Sequence, residues 1–455
     1  MFKRLSSYGG KIIVVLLCIG LCSCQTTPAP TYPPMESYPA PVRGRVLTAE
    51  EVAADAMWLV NITEETHPIF LDIDQFEDWD DTEYRQRKED FLQKATTSMT
   101  VGEFQLLCSY YTSGLRDAHF TVQSPPAGDG PMPGGRLFLS FRWDETGLQL
   151  LPDDVHPEGA MVLSINGMDV EEIGQSMDLY SAYENESGRY FFRSNNAASR
   201  TMHQVAGMET EETAKLQLLL PDGTEEAYVV PYETVNLSGG SVDSWSFALI
   251  EDGSIGLLTS NVCVRDEKMA EALGAMKKAT ETGVSQYVVD VRENQGGDMT
   301  VWNDFAEALA LTQNLSYGYV RRYSPLLKSR NTNYSKVTEE FTLYEPRCIT
   351  SGAINWDLVV LSSEKTFSAA VMLVGYFEDG ELGTVIGRTP RNTLSFFSSP
   401  CNFALPISNL QARVSTQYML RPDASRDMQA DATVDIEVPY GGDALQVAIA
   451  FLTTS

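Results

Sequence analysis

From Trp245 onward, short apolar runs alternate with amphipathic stretches, and this alternation restricts the fold more than any other feature. Ser254 to Thr259 reads as a strand and Asp266 to Thr280 as a helix. Gln286 to Val291 reads as a buried strand, followed by a glycine-containing loop and a helix over Met299 to Leu311. Asp357-Leu358-Val359-Val360-Leu361 reads as another buried strand and Val371 to Phe377 as a helix, with Lys365-Thr366-Phe367-Ser368-Ala369-Ala370 on the turn between them. Strands apolar on both faces need cover on both sides, which predicts an α/β core with a mostly buried sheet. Ser368 then stands at a helix N-terminus. There, free N–H groups and the helix dipole favour developing negative charge. The plain alternative is that Ser368 is an ordinary N-cap.

At 455 residues the chain has room for about three domains. Upstream of the core, Thr48-Ala49-Glu50-Glu51 and Thr100-Val101-Gly102-Glu103 are capping boxes, each opening a helix with one apolar stripe. A charge-rich helix is expected over Thr82 to Lys94, and a short strand starting at His119. Gly128 to Gly135, rich in glycine and proline, marks a domain boundary. Leu137–Phe141, Leu148–Leu151, Met161–Ile165 and Lys215–Leu220 read as strands, with Asn166-Gly167 and Asp222-Gly223 as tight turns.

The N-terminus reads as a targeting segment. Lys3, Arg4 and Lys11 precede an apolar run, Ile12 to Leu21, that is short for a membrane span. It ends in Leu21-Cys22-Ser23-Cys24, which resembles the bacterial lipobox, so Cys24 is the expected lipidation site. This predicts a leader over 1–23 and an extracytoplasmic, membrane-anchored body; a plain secretory signal is the alternative. Prolines between Gln25 and Arg45 predict an extended tether over 24–45. The net charge of -29, from 33 basic and 62 acidic residues, excludes a nucleic-acid binder and disfavours strongly acidic substrates. Cys108, Cys263, Cys348 and Cys401 are scattered with no CxxC pair, so no metal site is read.

A serine nucleophile needs a base and an oxyanion hole. The chain has four histidines. His67 and His156 each precede a proline and so occupy turns or extended corners. His203 lies in a polar stretch. His119 sits at a helix-to-strand junction beside Asp117. For the oxyanion, Asp290-Val291-Arg292-Glu293-Asn294-Gln295-Gly296-Gly297 leaves a buried strand and turns. Gly296 and Gly297 would let backbone approach a carbonyl closely, and the Ala369 N–H is a further donor.

Three stretches together carry a family resemblance: Leu115-Arg116-Asp117-Ala118-His119, Asp290 to Gly297, and Thr366-Phe367-Ser368-Ala369-Ala370. In this order they resemble the motifs L-x-D-G-H, D-L-R-x-N-x-G-G and T-x-S-A-A of the tail-specific (C-terminal processing) serine peptidases, including the tricorn core. The resemblance implies a helical N-terminal segment (46–125), a PDZ-like β-rich domain (136–235) and a ClpP/crotonase-like α/β core (240–455). The stretch Gly159 to Val170 resembles the centre of a PDZ domain, which binds extended peptides by strand addition. One branch of the family pairs the serine with a downstream lysine. Here no lysine follows Lys365, and the matching stretch reads Gly387-Arg388-Thr389-Pro390-Arg391-Asn392. Arginine cannot serve as a base. The resemblance therefore points to the tricorn-like branch, with Ser368 as nucleophile, His119 as base and Gly296, Gly297 and Ala369 as oxyanion donors. That branch has a supporting glutamate near the C-terminus. In this chain the region offers only Asp427 and Asp431 as stand-ins, and Ala118 replaces the glycine of the first motif. The implied activity is peptide-bond hydrolysis without a metal or organic cofactor. The alternative is an inactive member that binds peptides or hydrophobic ligands.

Overall fold

A computed structural model describes residues 32–125, 135–152, 155–156, 158–233, 242–350 and 355–454. The expected leader, Cys24 and the boundary loop at 128–134 lie outside these residues. The core is a six-stranded sheet in the order Trp245–Ile250, Ile255–Ser260, Gln286–Asp290, Asp357–Ser362, Thr384–Gly387, Ile436–Glu437. The first pair is antiparallel and every later pair is parallel. Side chains alternate across it, as strand geometry requires. Leu258, Val289 and Val360 pack with the helices Glu267–Glu281, Val301–Ala308 and Ala369–Asp379. Val288, Val359 and Ile386 pack with Ala444–Thr454 in a second cluster. Both faces are covered, which is why these strands read as unbroken apolar runs.

A second, antiparallel sheet joins Phe341–Tyr344, Gly318–Arg322, Gln411–Leu420 and Phe397–Ala404. Thr121–Val122 adds to it against Ala412–Arg413, so the strand expected from His119 begins two residues later. Helices Ala49–Thr66 and Val101–Thr112 start on the capping boxes of Thr48 and Thr100, and the charge-rich helix spans Thr82–Lys94. Asp55, fully buried on the first helix, accepts the N–H groups of Ile407 and Ser408 and ties the helices to this sheet. The later part of the expected tether is not free. Arg330 donates to the Pro33 carbonyl, and the carbonyls of Arg43 and Arg45 accept from Gly102 and Val101. Proline content alone could not reveal these partners, one of which lies about 300 positions away.

Between these parts lies a seven-stranded sheet formed by Arg136–Leu137, Phe141–Asp144, Gly147–Leu150, Ala160–Ile165, Met168–Asp169, Thr213–Leu219 and Glu225–Glu233. Asn166-Gly167 makes the expected two-residue turn between two of its strands. The strand expected over Leu137–Phe141 is split into Arg136–Leu137 and Phe141–Asp144. Three helices that the β-rich reading missed follow: Val170–Asp178, Glu186–Asn196 and Arg200–Val205. The N-terminal end of the second of them reaches the core, where Asn185 donates to the Pro390 carbonyl and to Asp431, and Ser187 to the Thr389 carbonyl. Cys108, Cys263, Cys348 and Cys401 are free thiols. No helix among the described residues is long and apolar enough to cross a membrane.

Candidate active site

Ser368 occupies the N-cap position of the helix Ala369–Asp379, yet its side chain makes no capping hydrogen bond. Its backbone is strained, with φ 56° and ψ -125°. Such a conformation costs roughly 1–3 kcal/mol and persists only where neighbours over-determine it. Here they do. Phe367 N–H donates to the Asn294 carbonyl, Thr366 hydroxyl to the Val291 carbonyl, and Ser368 N–H to Asn392 Oδ1 at 2.7 Å. The strained turn aims the Ser368 hydroxyl away from the helix end and at an imidazole.

That imidazole is His119, 5% exposed, with Nε2 2.9 Å from Ser368 Oγ. The ring stacks on Phe367 and Phe396. Arg116, with φ 51°, turns the chain after the 3-10 turn Ser113–Leu115 and brings Asp117 and His119 inward together. Asp117 is fully buried and accepts the His119 backbone N–H at 2.8 Å. Its other oxygen lies 3.1 Å from His67 Nε2. His67 Nδ1 accepts the Ile69 N–H, so the neutral ring carries its proton on Nε2 and donates to Asp117. His67, placed by sequence only in an extended corner, therefore belongs to the site. Burial alone would raise the Asp117 pKa, but the His67 hydrogen bond, with the electrostatic pull of the two imidazoles beside it, holds it below the usual carboxylate range.

His119 Nδ1 is buried without a hydrogen-bond partner among the described residues, and Asp117 Oδ1 stands 3.9 Å from it. A second carboxyl completes the surroundings. Glu184, from the loop of the middle domain, accepts the Ala118 N–H and lies 3.4 Å from the Thr393 hydroxyl. Donor atoms of Asp117, His119 and Glu184 lie within 4.8 Å of one another. Burial raises the Glu184 pKa to about 8; the Asn392 amide opposes this, while the Asp117 charge adds to it. The Asn392 amide nitrogen makes no close hydrogen bond, yet it faces this carboxyl. Burial also lowers the His119 pKa to about 4, against Asp117 and with help from Arg413 and Arg391. The trio could in principle ligate a cation, but only with the proton of Glu184 displaced. As it stands, the cluster holds His119 neutral and able to accept a proton.

The loop of Gly296 and Gly297 packs against the serine. A Cβ on Gly296 (φ 98°) would come within 2.7 Å of Ser368 Cβ, and one on Gly297 (φ 135°) would collide with the Cys263 carbonyl. Only glycine allows this approach. One oxyanion assignment is corrected: the Gly296 N–H is taken by Asn294 Oδ1 at 2.8 Å. Gly296 acts by its small size instead. Among the described residues the N–H groups of Gly297 and Ala369 make no hydrogen bond, which leaves these two as donors.

Asp427 and Asp431 are also corrected. Asp427 caps Gln429 and its carbonyl accepts from Arg421, while Asp431 accepts from Asn185. Neither is among the carboxyls gathered at His119. Asn392, within the stretch where the Ser/Lys branch would carry its lysine, is fully buried and holds the Ser368 backbone. Lys365 pairs with Glu293 at the surface, in keeping with its reading as a solvated residue. His203 is a structural histidine bonded to Tyr232 and the Ala197 carbonyl.

Residues 253–438 match peptidase family S41. No curated protein matches the chain. Among solved structures, mature CPAF is similar, at 12% identity and a TM-score of 0.61, over 89% of this chain and 95% of that one. Mature CPAF complexed with lactacystin is similar at 13% identity and a TM-score of 0.60, over 89% and 97%. At this identity the likeness speaks to the fold.

Proposed function

The chain carries a core of peptidase family S41 over residues 253–438, and from this premise we propose that it is a serine peptidase acting through Ser368 and His119. The observation that carries the reading is the 2.9 Å contact between Ser368 Oγ and His119 Nε2, made by a serine that does not cap its helix. Ser368 Oγ attacks the peptide carbonyl while His119 Nε2 takes its proton. The tetrahedral oxyanion meets the N–H groups of Ala369 and Gly297; losing one such donor typically costs about 3 kcal/mol of barrier. His119 then delivers the proton to the leaving amine, and the acyl group on Ser368 is released by a water that His119 deprotonates in turn. Asp117, braced by His67, and Glu184 face the charge that forms on His119.

In the same reading, the core is ClpP/crotonase-like and the middle sheet is a PDZ-like module presenting an extended or C-terminal segment of a protein substrate. Cys24 carries the lipid that holds the body outside the cytoplasm. The rival reading, an inactive peptide-binding member, draws on the unpartnered His119 Nδ1. A fluorophosphonate probe decides between them. Labelling of Ser368 in wild type, lost in Ser368→Ala and strongly slowed in His119→Ala, supports the peptidase. Absence of labelling, under conditions that label a control serine peptidase, supports the rival.

A further inference from the structure

A cavity beside the site, about 750 Å³, is bounded by Ala118 and Phe120, which flank His119, and by Phe367, which precedes Ser368. Its charged lining consists of Arg43, Arg136, Arg391 and Arg413; among the described residues no Asp or Glu lines it. In a chain with net charge -29, a wall of one sign opposite to the whole is a local inversion. The lining guanidiniums come from three parts of the fold: Arg43 from the N-terminal segment, Arg136 from the middle domain, and Arg391 and Arg413 from the core.

Arg136, Arg391 and Arg413 have no carboxylate partner among the described residues. Arg136 donates to the Asn195 carbonyl, Arg391 to Gln295 and Arg413 Nε to the Thr121 hydroxyl. Each spends one of five N–H donors and keeps the others for a ligand. Arg391 is laid between Phe191 and Phe367, its guanidinium 4.1 and 4.3 Å from their ring centres. This fixes the plane of the fork beside the nucleophile. Burial lowers the Arg391 pKa to about 10, and Glu184, which does not line the cavity, offsets this only in part. A half-buried cation without a counter-ion is costly, and an incoming carboxylate would relieve that cost.

We propose that this cavity is an anionic-peptide subsite: it takes an extended substrate with acidic side chains, whose carboxylates pair with Arg391 and Arg413 near His119 and with Arg136, which the middle domain brings to the same cavity. The expectation from net charge alone, that acidic substrates are disfavoured, is reversed where the substrate would lie. The inference rests on the peptidase reading, but its binding test does not need turnover.

Full-length Ser368→Ala protein is titrated with three fluorescent decapeptides. They are identical except for two Asp/Glu positions, which become Asn/Gln in the second peptide and Lys in the third. Each is made with a free and an amidated C-terminus, and anisotropy is read at low and high salt. The acidic peptide should bind at least about tenfold tighter than the amide peptide, and less so in salt. That preference should vanish in Arg391→Gln/Arg413→Gln and persist in the charge-keeping Arg391→Lys/Arg413→Lys. Equal binding of acidic and amide peptides overturns the proposal. So does a preference that survives the Gln pair, or one set by the C-terminal carboxylate alone. The peptide contrast needs no folded variant of the arginines. Cleavage of the same peptides by wild type is followed by mass spectrometry. Selective binding without cleavage would refute the peptidase reading and leave the subsite standing.

Discussion

Glu184→Gln is the perturbation that best tests how the site is wired. The native carboxyl titrates near pH 8 instead of near the ordinary carboxylate value because it is enclosed beside Asp117. The sign follows from proton counting. Between about pH 4.5 and 8 the folded state holds a proton that the unfolded state has released, so this group lowers stability as pH rises. The ceiling is about 1.4 kcal/mol per pH unit, or about 4 kcal/mol from pH 5 to 8. Residual exposure of Glu184 reduces this to roughly 2–4 kcal/mol. Unfolding entropy for about 420 residues is on the order of 0.9 kcal/mol/K, so the shift is roughly 2–4 °C. His119 works the other way: its lowered pKa makes stability rise between about pH 4 and 6.5. To first order that contribution cancels when the variant is compared with wild type. Calorimetry of both at pH 5, 6.5 and 8 should show wild type losing this 2–4 °C relative to Glu184→Gln. Parallel curves would refute the enclosure of the carboxyl. Activity gives a second readout. Ionised Glu184 faces the imidazolium that forms in the reaction, and a unit charge about 5 Å away is worth up to about 3 kcal/mol at an effective dielectric of 20. The kcat of wild type should climb through pH 8, and that of Glu184→Gln should stay flat there.

Ser368→Ala should reduce kcat by about 10⁴-fold or more, and His119→Ala by a comparable factor with little further loss in the double variant, because the pair acts as a unit. Gly296→Ala forces a Cβ to 2.7 Å from Ser368 Cβ at a left-handed φ, so thermal stability should drop by about 1–3 kcal/mol and fluorophosphonate labelling should slow. Asn392→Ala removes the acceptor of the Ser368 N–H; stability should fall by about 1–3 kcal/mol, and kcat should fall with KM nearly constant. Asp427→Asn and Asp431→Asn should leave the pH–rate profile of peptide cleavage unchanged, whereas a supporting acid at either position would alter it.

The parts of the molecule written into local pattern were readable. The capping boxes at Thr48 and Thr100 and the buried runs around Val288 and Val359 depend on residues a few positions apart or on uniform burial, and each forms as expected. Ser368 and His119 were readable as a pair only through motifs, since 249 positions separate them and neither has a distinctive neighbourhood alone. The supporting carboxyl had no such signal. A glutamate between Tyr183 and Asn185 resembles any solvated loop acid. What moves it inward is the Asn185 side chain, which caps the helix Glu186–Asn196 and at the same time reaches Pro390 and Asp431 in the core. Asp431 is thus tied to the site after all, through Asn185, without being near His119. The consequence is physical. The carboxyl facing the His119 imidazole belongs to the middle domain, and the hydrogen bonds that hold it there span the contact between that domain and the core segments at Pro390 and Asp431. Loosening that contact, as Asn185→Ala would, should therefore move the pH dependence of the reaction toward that of Glu184→Gln even with every residue at Ser368 unchanged. A wild-type pH profile in a folded Asn185→Ala protein would show that the Ala118 N–H suffices to place the carboxyl, and the middle domain would then have no part in setting the base.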